Sequence, residues 1–109
     1  MFNIKSLDIT IKEEVLLRGL YDQALYGLEI SRIISEKTGN EINYKSGSLY
    51  PTLRKLELKG WVTSRWGDEL EGVRMKYYQI TDAGKSVIEN RQSFLNRLAI
   101  VDTVSGIEK

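Results

Sequence analysis

Apolar residues along this chain recur first at helical spacing, then in alternation, and then at helical spacing again over a long C-terminal stretch. Ile11, Val15, Leu16 and Leu20 repeat every three to four residues, and Thr10-x-x-Glu13 ahead of them is a capping-box sequence. In such a box the Thr hydroxyl accepts from the amide three residues on, while the Glu carboxylate accepts from the Thr amide. A first helix is therefore predicted from Thr10, fading at Tyr21-Asp22. Tyr26, Ile30, Ile33 and Ile34 predict a second over about 26–37. Thr38-Gly39-Asn40 supplies residues that tolerate the left-handed conformation of a helix stop. Gly27, on the opening turn, leaves room for a neighbouring backbone to come close.

A third helix is predicted over about 47–59. Proline is tolerated in a first helical turn but not deeper, so Pro51 places the start close to Ser48, with Ser46 or Ser48 as the cap. At 100° per residue Leu49, Leu53 and Leu56 cluster within about 60° and form the buried face. Ser48, Pro51, Thr52 and Lys55 project from the opposite side, with Arg54 on the flank. Gly60 ends this helix, and Trp61 to Trp66 switches to the β-branched and aromatic alternation of a strand. After a polar loop from Gly67 to Gly72, a second strand returns over Val73 to Ile80. Its alternation puts Arg74, Lys76, Tyr78 and Ile80 on one face, apolar at the root and cationic towards the tip. Thr81-Asp82 can cap a last helix from Ala83 to about Val104, some 35 Å long. Val87, Ile88, Phe94, Leu95, Leu98 and Val101 form a stripe along it that exceeds what so short a chain can cover. A second copy of the chain is the expected partner.

The order of these elements predicts an α+β, mostly helical fold: a winged helix-turn-helix over 1–80 with its wing at about 61–80, and a C-terminal dimerisation helix and tail over 81–109. A domain of 109 residues buries only roughly 60–65% of its unfolded surface, so a partner subunit would add stability. Taken singly, each segment also fits a plainer part: a surface helix, a solvated hairpin, a last helix folded back on its own chain.

Net charge is only +1, but it is unevenly placed. Residues 41–66 hold five Lys/Arg against two Asp/Glu, and 73–85 hold three against one, while 67–72 carry three acids and no base. Positive charge is thus concentrated on the third helix and the hairpin, and local concentration is what binds phosphate. The absence of Cys and His removes disulfides, thiolate metal sites and the commonest acid–base residue. No metal or cofactor is expected, and no carboxylate pair or phosphate loop suggests an enzyme. No apolar run approaches the ~18–20 residues needed to span a bilayer, and the start of the chain lacks the hydrophobic block of a signal peptide. A cytoplasmic protein without membrane attachment is expected.

Four motifs follow one another over about 13–88: Leu25-Tyr-Gly-Leu-Glu-Ile30, Gly47-Ser-Leu-Tyr-Pro-Thr-Leu53, Leu56-Glu-x-Lys-Gly-Trp-Val62 and Arg74-x-Lys-Tyr-Tyr-x-Ile-Thr-x-x-Gly84. In this order they resemble the PadR-like transcriptional regulators. The resemblance implies a winged-helix repressor whose third helix enters the major groove of double-stranded DNA. Ser46, Ser48, Tyr50, Thr52 and Lys55 would belong to the recognition element, beside Arg54, with Arg74 and Lys76 in the wing. The acidic Asp68-Glu-Leu-Glu71 tip is ill suited to deep minor-groove insertion. Chains of this length in the family form the short class that dimerises through one C-terminal helix, which implies an inverted-repeat operator. Some relatives bind a small-molecule effector, for which Phe2, Leu16, Phe94 and Leu98 are the candidates at an apolar dimer interface. A winged-helix module that binds protein rather than DNA is the alternative.

Overall fold

The computed structural model of the chain describes the backbone of residues 8–107 and the side chains of 8–99 apart from Leu70. The elements run α1 (Ile11–Gly19), β1 (Leu25–Tyr26), α2 (Gly27–Lys37), α3 (Ser46–Leu58), β2 (Val62–Leu70), β3 (Val73–Ile80) and α4 (Asp82–Ile107). They form the expected mostly helical α+β winged helix-turn-helix, with a three-stranded antiparallel sheet of order β1-β3-β2. The two-residue strand β1 has too little sequence for a pattern; it exists because Leu25 and Tyr26 pair with Tyr78 and Tyr77.

The capping box at Thr10 is formed in full, with Glu13 N–H donating to Thr10 Oγ1 at 3.1 Å and Thr10 N–H donating to Glu13 Oε1 at 3.0 Å. Beyond it Leu16 and, at the C-cap, Leu20 are buried as expected and Val15 packs partly on the core, while Leu17 joins the buried face and Ile11 does not. Ile11, as the first helical residue, lies on the solvent side and is 70% exposed. Ile30 and Ile34 of α2 and Leu49, Leu53 and Leu56 of α3 complete a three-helix core, closed by Leu25, Val62, Tyr78 and Ile80 from the sheet. Helices α2 and α3 both stop in Schellman fashion. Asn40 N–H reaches Ser35 O at 2.8 Å over Gly39 at φ 59°, and Trp61 N–H reaches Leu56 O at 3.0 Å over Gly60 at φ 78°.

Two expectations are corrected along the reading unit. Helix α3 starts at Ser46, and Lys45, not a serine, is its N-cap. Pro51 therefore sits in the second turn. The amide it lacks would have met the carbonyl of Gly47, an exposed residue open to solvent, and the helix runs on. The supposed loop at Gly67–Gly72 is mostly strand. Strands β2 and β3 continue past an irregularity between Trp66 and Glu69, and Leu70 pairs with Val73 across a two-residue turn. Glu71 (φ 52°) and Gly72 (φ 80°) are both left-handed, as such a tight hairpin requires.

Thr81 ties the wing to the helices. Its hydroxyl accepts from Gly84 N–H at 3.1 Å as the cap of α4 and donates to Gly60 O at 2.7 Å at the end of α3. The first turns of α4 then enter the body, where Val87 and Ile88 join the core. Among the described residues no helix is long and apolar enough to cross a membrane.

Candidate nucleic-acid interface

Burial of Leu49, Leu53 and Leu56 turns the other side of α3 outward, and two clefts flank that side. The first, of ≈ 400 Å³, runs between the start of α2, Tyr50 of α3 and the wing, where Trp66, Arg74, Lys76 and Tyr78 line it. The second, of ≈ 660 Å³, lies towards the N-terminus of α1 and is lined by Thr52, Lys55 and Lys59 together with Thr10, Lys12 and Glu13. Expected contact residues thus separate into two groups, Tyr50 with Arg74 and Lys76, and Thr52 with Lys55. Ser46 and Arg54 lie exposed on the helix itself, and Ser48 is half-buried. The Ser48 hydroxyl donates to Lys45 O at 3.2 Å, so it does not cap the helix. Thr52, half-buried, donates to Ser48 O at 2.7 Å, leaving its oxygen lone pairs able to accept.

Gly27 does leave room for a neighbour, but the neighbour is the ring of Tyr50 rather than backbone; a Cβ there would fall on the phenol. Tyr50 is consequently held beside the first turn of α2, where Glu29 accepts from Tyr26 N–H at 3.2 Å. In the wing, alternation places Trp66 opposite Lys76 and on the same face as Arg74. The Arg74 guanidinium lies 5.4 Å and the Lys76 ammonium 5.6 Å from the Trp66 ring centre, with Lys76 also 5.8 Å from Tyr78. Burial raises the Tyr78 phenol above its ordinary value of 10.0, with Glu57 and Tyr50 adding to the rise, so it stays a neutral hydrogen-bonding group.

The second cleft is organised by a buried carboxylate. Burial alone would raise Glu13, but the bonds from Thr10 and Lys59 and the charge of Lys59 outweigh it, so the group is held below its ordinary 4.5. Lys59 Nζ meets Glu13 Oε2 at 2.9 Å and also lies 4.7 Å over the Trp61 ring. Tyr44 donates its hydroxyl to the Lys12 carbonyl, and burial pushes that phenol up to about 12. Lys12 is thereby anchored at its backbone while its side chain is exposed. Neither Trp66 nor Lys12 stands out in the sequence. The period-two pattern could have indicated Trp66, since it alternates onto the face that Arg74 and Lys76 share, whereas Lys12 acquires its place only through packing of α1 on α3.

Along α4 burial declines outward. Val87 and Ile88 are 7% and 5% exposed within the chain's own core, where the stripe had been expected to meet a second copy. Phe94 and Leu95 are half-buried and Leu98 is 49% exposed; the side chain of Val101 lies outside the described residues. Polar contacts fasten the middle of the helix to α1 and the turn after it: Arg91 donates to Glu14 at 3.1 Å, Arg18, itself paired with Glu14, reaches Gln92 at 3.1 Å, and Tyr21 donates to Glu89 at 2.6 Å. Of the four candidate effector residues, Phe2 lies outside the described residues and Leu16 is fully buried in the three-helix core. Leu16 is thus covered by the chain itself rather than open to a ligand beside Phe94 and Leu98.

Residues 16–90 match the model of a family described as "Transcriptional regulator PadR-like family". An uncharacterised protein of Lysinibacillus sphaericus is 36% identical over 76 residues, 70% of each chain. Among solved structures, a transcriptional regulator from Clostridium thermocellum superposes with a TM-score of 0.67 at 26% identity over 97% of both chains. Bacillus subtilis PadR, solved in complex with operator DNA, shares the fold with a TM-score of 0.69 at 21% identity, over 87% of this chain and 59% of its own.

Proposed function

The chain belongs to the PadR-like family of transcriptional regulators, and from that premise we propose that it is a cytoplasmic homodimer that represses transcription by reading an inverted repeat. In this reading α3 lies in the major groove, Tyr50, Thr52 and Lys55 face base edges, and Ser46, Ser48, Arg54, Arg74 and Lys76 position the duplex on its phosphates. The observation that carries it is the convergence of Tyr50, Arg74 and Lys76 on one groove alongside the outward face of α3. The operator-bound state of B. subtilis PadR, which has the same fold, supports it.

Binding of the purified protein to duplexes selected from genomic fragments, measured at two salt concentrations, tests the reading. Affinity should fall steeply with salt, with a logarithmic slope near 0.9 per neutralised phosphate. Lys76→Ala should weaken operator and random DNA alike and lower that slope by about one contact, whereas Lys55→Ala should also relax sequence preference. Salt-insensitive or absent binding would instead favour the protein-binding winged helix.

A further inference from the structure

Four of the most exposed large apolar side chains in the described residues, Leu28 (72%), Tyr50 (44%), Trp66 (55%) and Val73 (60%), line the single groove between α2, α3 and the wing. Concentrated apolar exposure of this kind marks a binding surface rather than the scattered exposure every protein carries. Among the described residues no carboxylate lines the groove, and the two charged groups that do, Arg74 and Lys76, are both cations leaning on the same indole ring. Glu69 stands opposite Arg74 in the strand ladder, yet among the described residues Arg74 forms no ion pair with it and rests against Trp66 instead. An aromatic face holds a cation in place without cancelling it.

We propose that Trp66 is a positioning residue for one sugar–phosphate strand of DNA. Its ring holds Arg74 and Lys76 in place on one face of the wing, from which they reach phosphates, and the remaining apolar floor, with Leu28 and Val73, meets the deoxyribose, while Tyr50 stays turned to the bases. The occupant follows from the chemistry. A strand of DNA carries regularly spaced anions on one edge and apolar sugar between them, which complements a groove with cations at its rim and an anion-free apolar floor. The inference rests on the DNA-binding reading above and adds to it a residue and a division of labour within the wing.

The test uses the full-length protein. Trp66→Leu keeps apolar bulk but removes the aromatic face, while Trp66→Phe keeps a face. Because Trp66 is more than half exposed, both variants should melt like the wild type. Trp66→Leu should weaken binding to the selected operator and to random duplex about fivefold, and Trp66→Phe should recover most of the loss. In a Trp61→Phe background, where Trp66 is the remaining tryptophan, its emission should change on saturation with DNA. Wild-type affinity in Trp66→Leu, equal losses in the Leu and Phe variants, or an unchanged emission would each overturn this inference alone. Absence of salt-dependent DNA binding by the wild type would overturn it together with the functional reading.

Discussion

Gly27 and Tyr50 share one small space, and this makes the glycine a setting for the reading surface. A methyl group at Gly27 meets the outer half of the Tyr50 ring, and that ring is 44% exposed and able to swing away. Gly27→Ala should therefore change stability by less than about 1 kcal/mol, since Ala is the better helix former. Operator affinity should nevertheless drop about fivefold as Tyr50 leaves the groove; melting curves and fluorescence anisotropy on the same samples separate the two effects. Glu13 illustrates the opposite case, a residue whose chemistry is structural. Its folded-state pKa lies below 4.5, so its stabilising contribution is complete above the unfolded value and is withdrawn as pH falls through the folded one. Glu13→Gln should cost about 1 kcal/mol at neutral pH and should flatten the loss of stability below about pH 4.5, followed by urea titrations across the acid range. The Thr10–Glu13 pair could be read from sequence because its chemistry is local. Burial of Glu13 under Lys59, 46 positions away, could not.

At the scale of elements, what could be read from the sequence depended on whether the deciding interaction was local. Helix stops at Gly39 and Gly60 and the cap at Thr81 follow from backbone needs of one or two residues, and all form as expected. The start of α3 was displaced because the rule against internal proline takes the lost bond as unaffordable. Here it falls on an exposed carbonyl, while three buried leucines hold the helix. A loop rather than strand is expected at 67–72 because glycine and acidic residues have low strand propensity, but cross-strand pairing carries β2 through them. Gly67 belongs there for a reason no pattern shows, since the ring of Tyr77 occupies the place of its missing side chain. The turn offers a direct test of the wing as an electrostatic element. Glu71 holds a left-handed conformation that suits Asn better, and it places an acid at the tip of a phosphate-seeking hairpin. Glu71→Asn should stabilise the protein by a few tenths of a kcal/mol and tighten binding to any duplex about twofold at low salt, the second effect fading as salt is raised. A gain in stability without a gain in affinity would place the tip away from the DNA.

For the whole molecule the deciding element is α4. Its 26 residues extend the protein to 62 Å in its longest dimension against 32 and 22 Å in the others. The stripe along it divides in two. Val87 and Ile88 anchor the helix in the core and Arg91 and Gln92 fasten it to α1, so its direction relative to α3 is set within one chain. Phe94, Leu95 and Leu98 are left only partly covered, and an apolar surface on a helix held at a fixed angle is suited to an isologous contact with a second copy. If α4 fixes the two reading heads in this way, the spacing of the half-sites is a property of helix packing rather than of the DNA-contacting residues, and it should come out near one helical turn, about 34–36 Å. Leu98→Glu places a charge in that contact without touching the core. The variant should fold with an unchanged melting profile at low protein concentration and sediment as a monomer. It should bind an isolated half-site as the wild type does, while losing about 100-fold or more on the full inverted repeat, because the second half-site no longer binds at high effective concentration. Analytical ultracentrifugation paired with half-site and full-site titrations measures all of this in one set of samples. A monomeric wild type, or a Leu98→Glu dimer with full operator affinity, would require the two reading heads to be joined through some other surface.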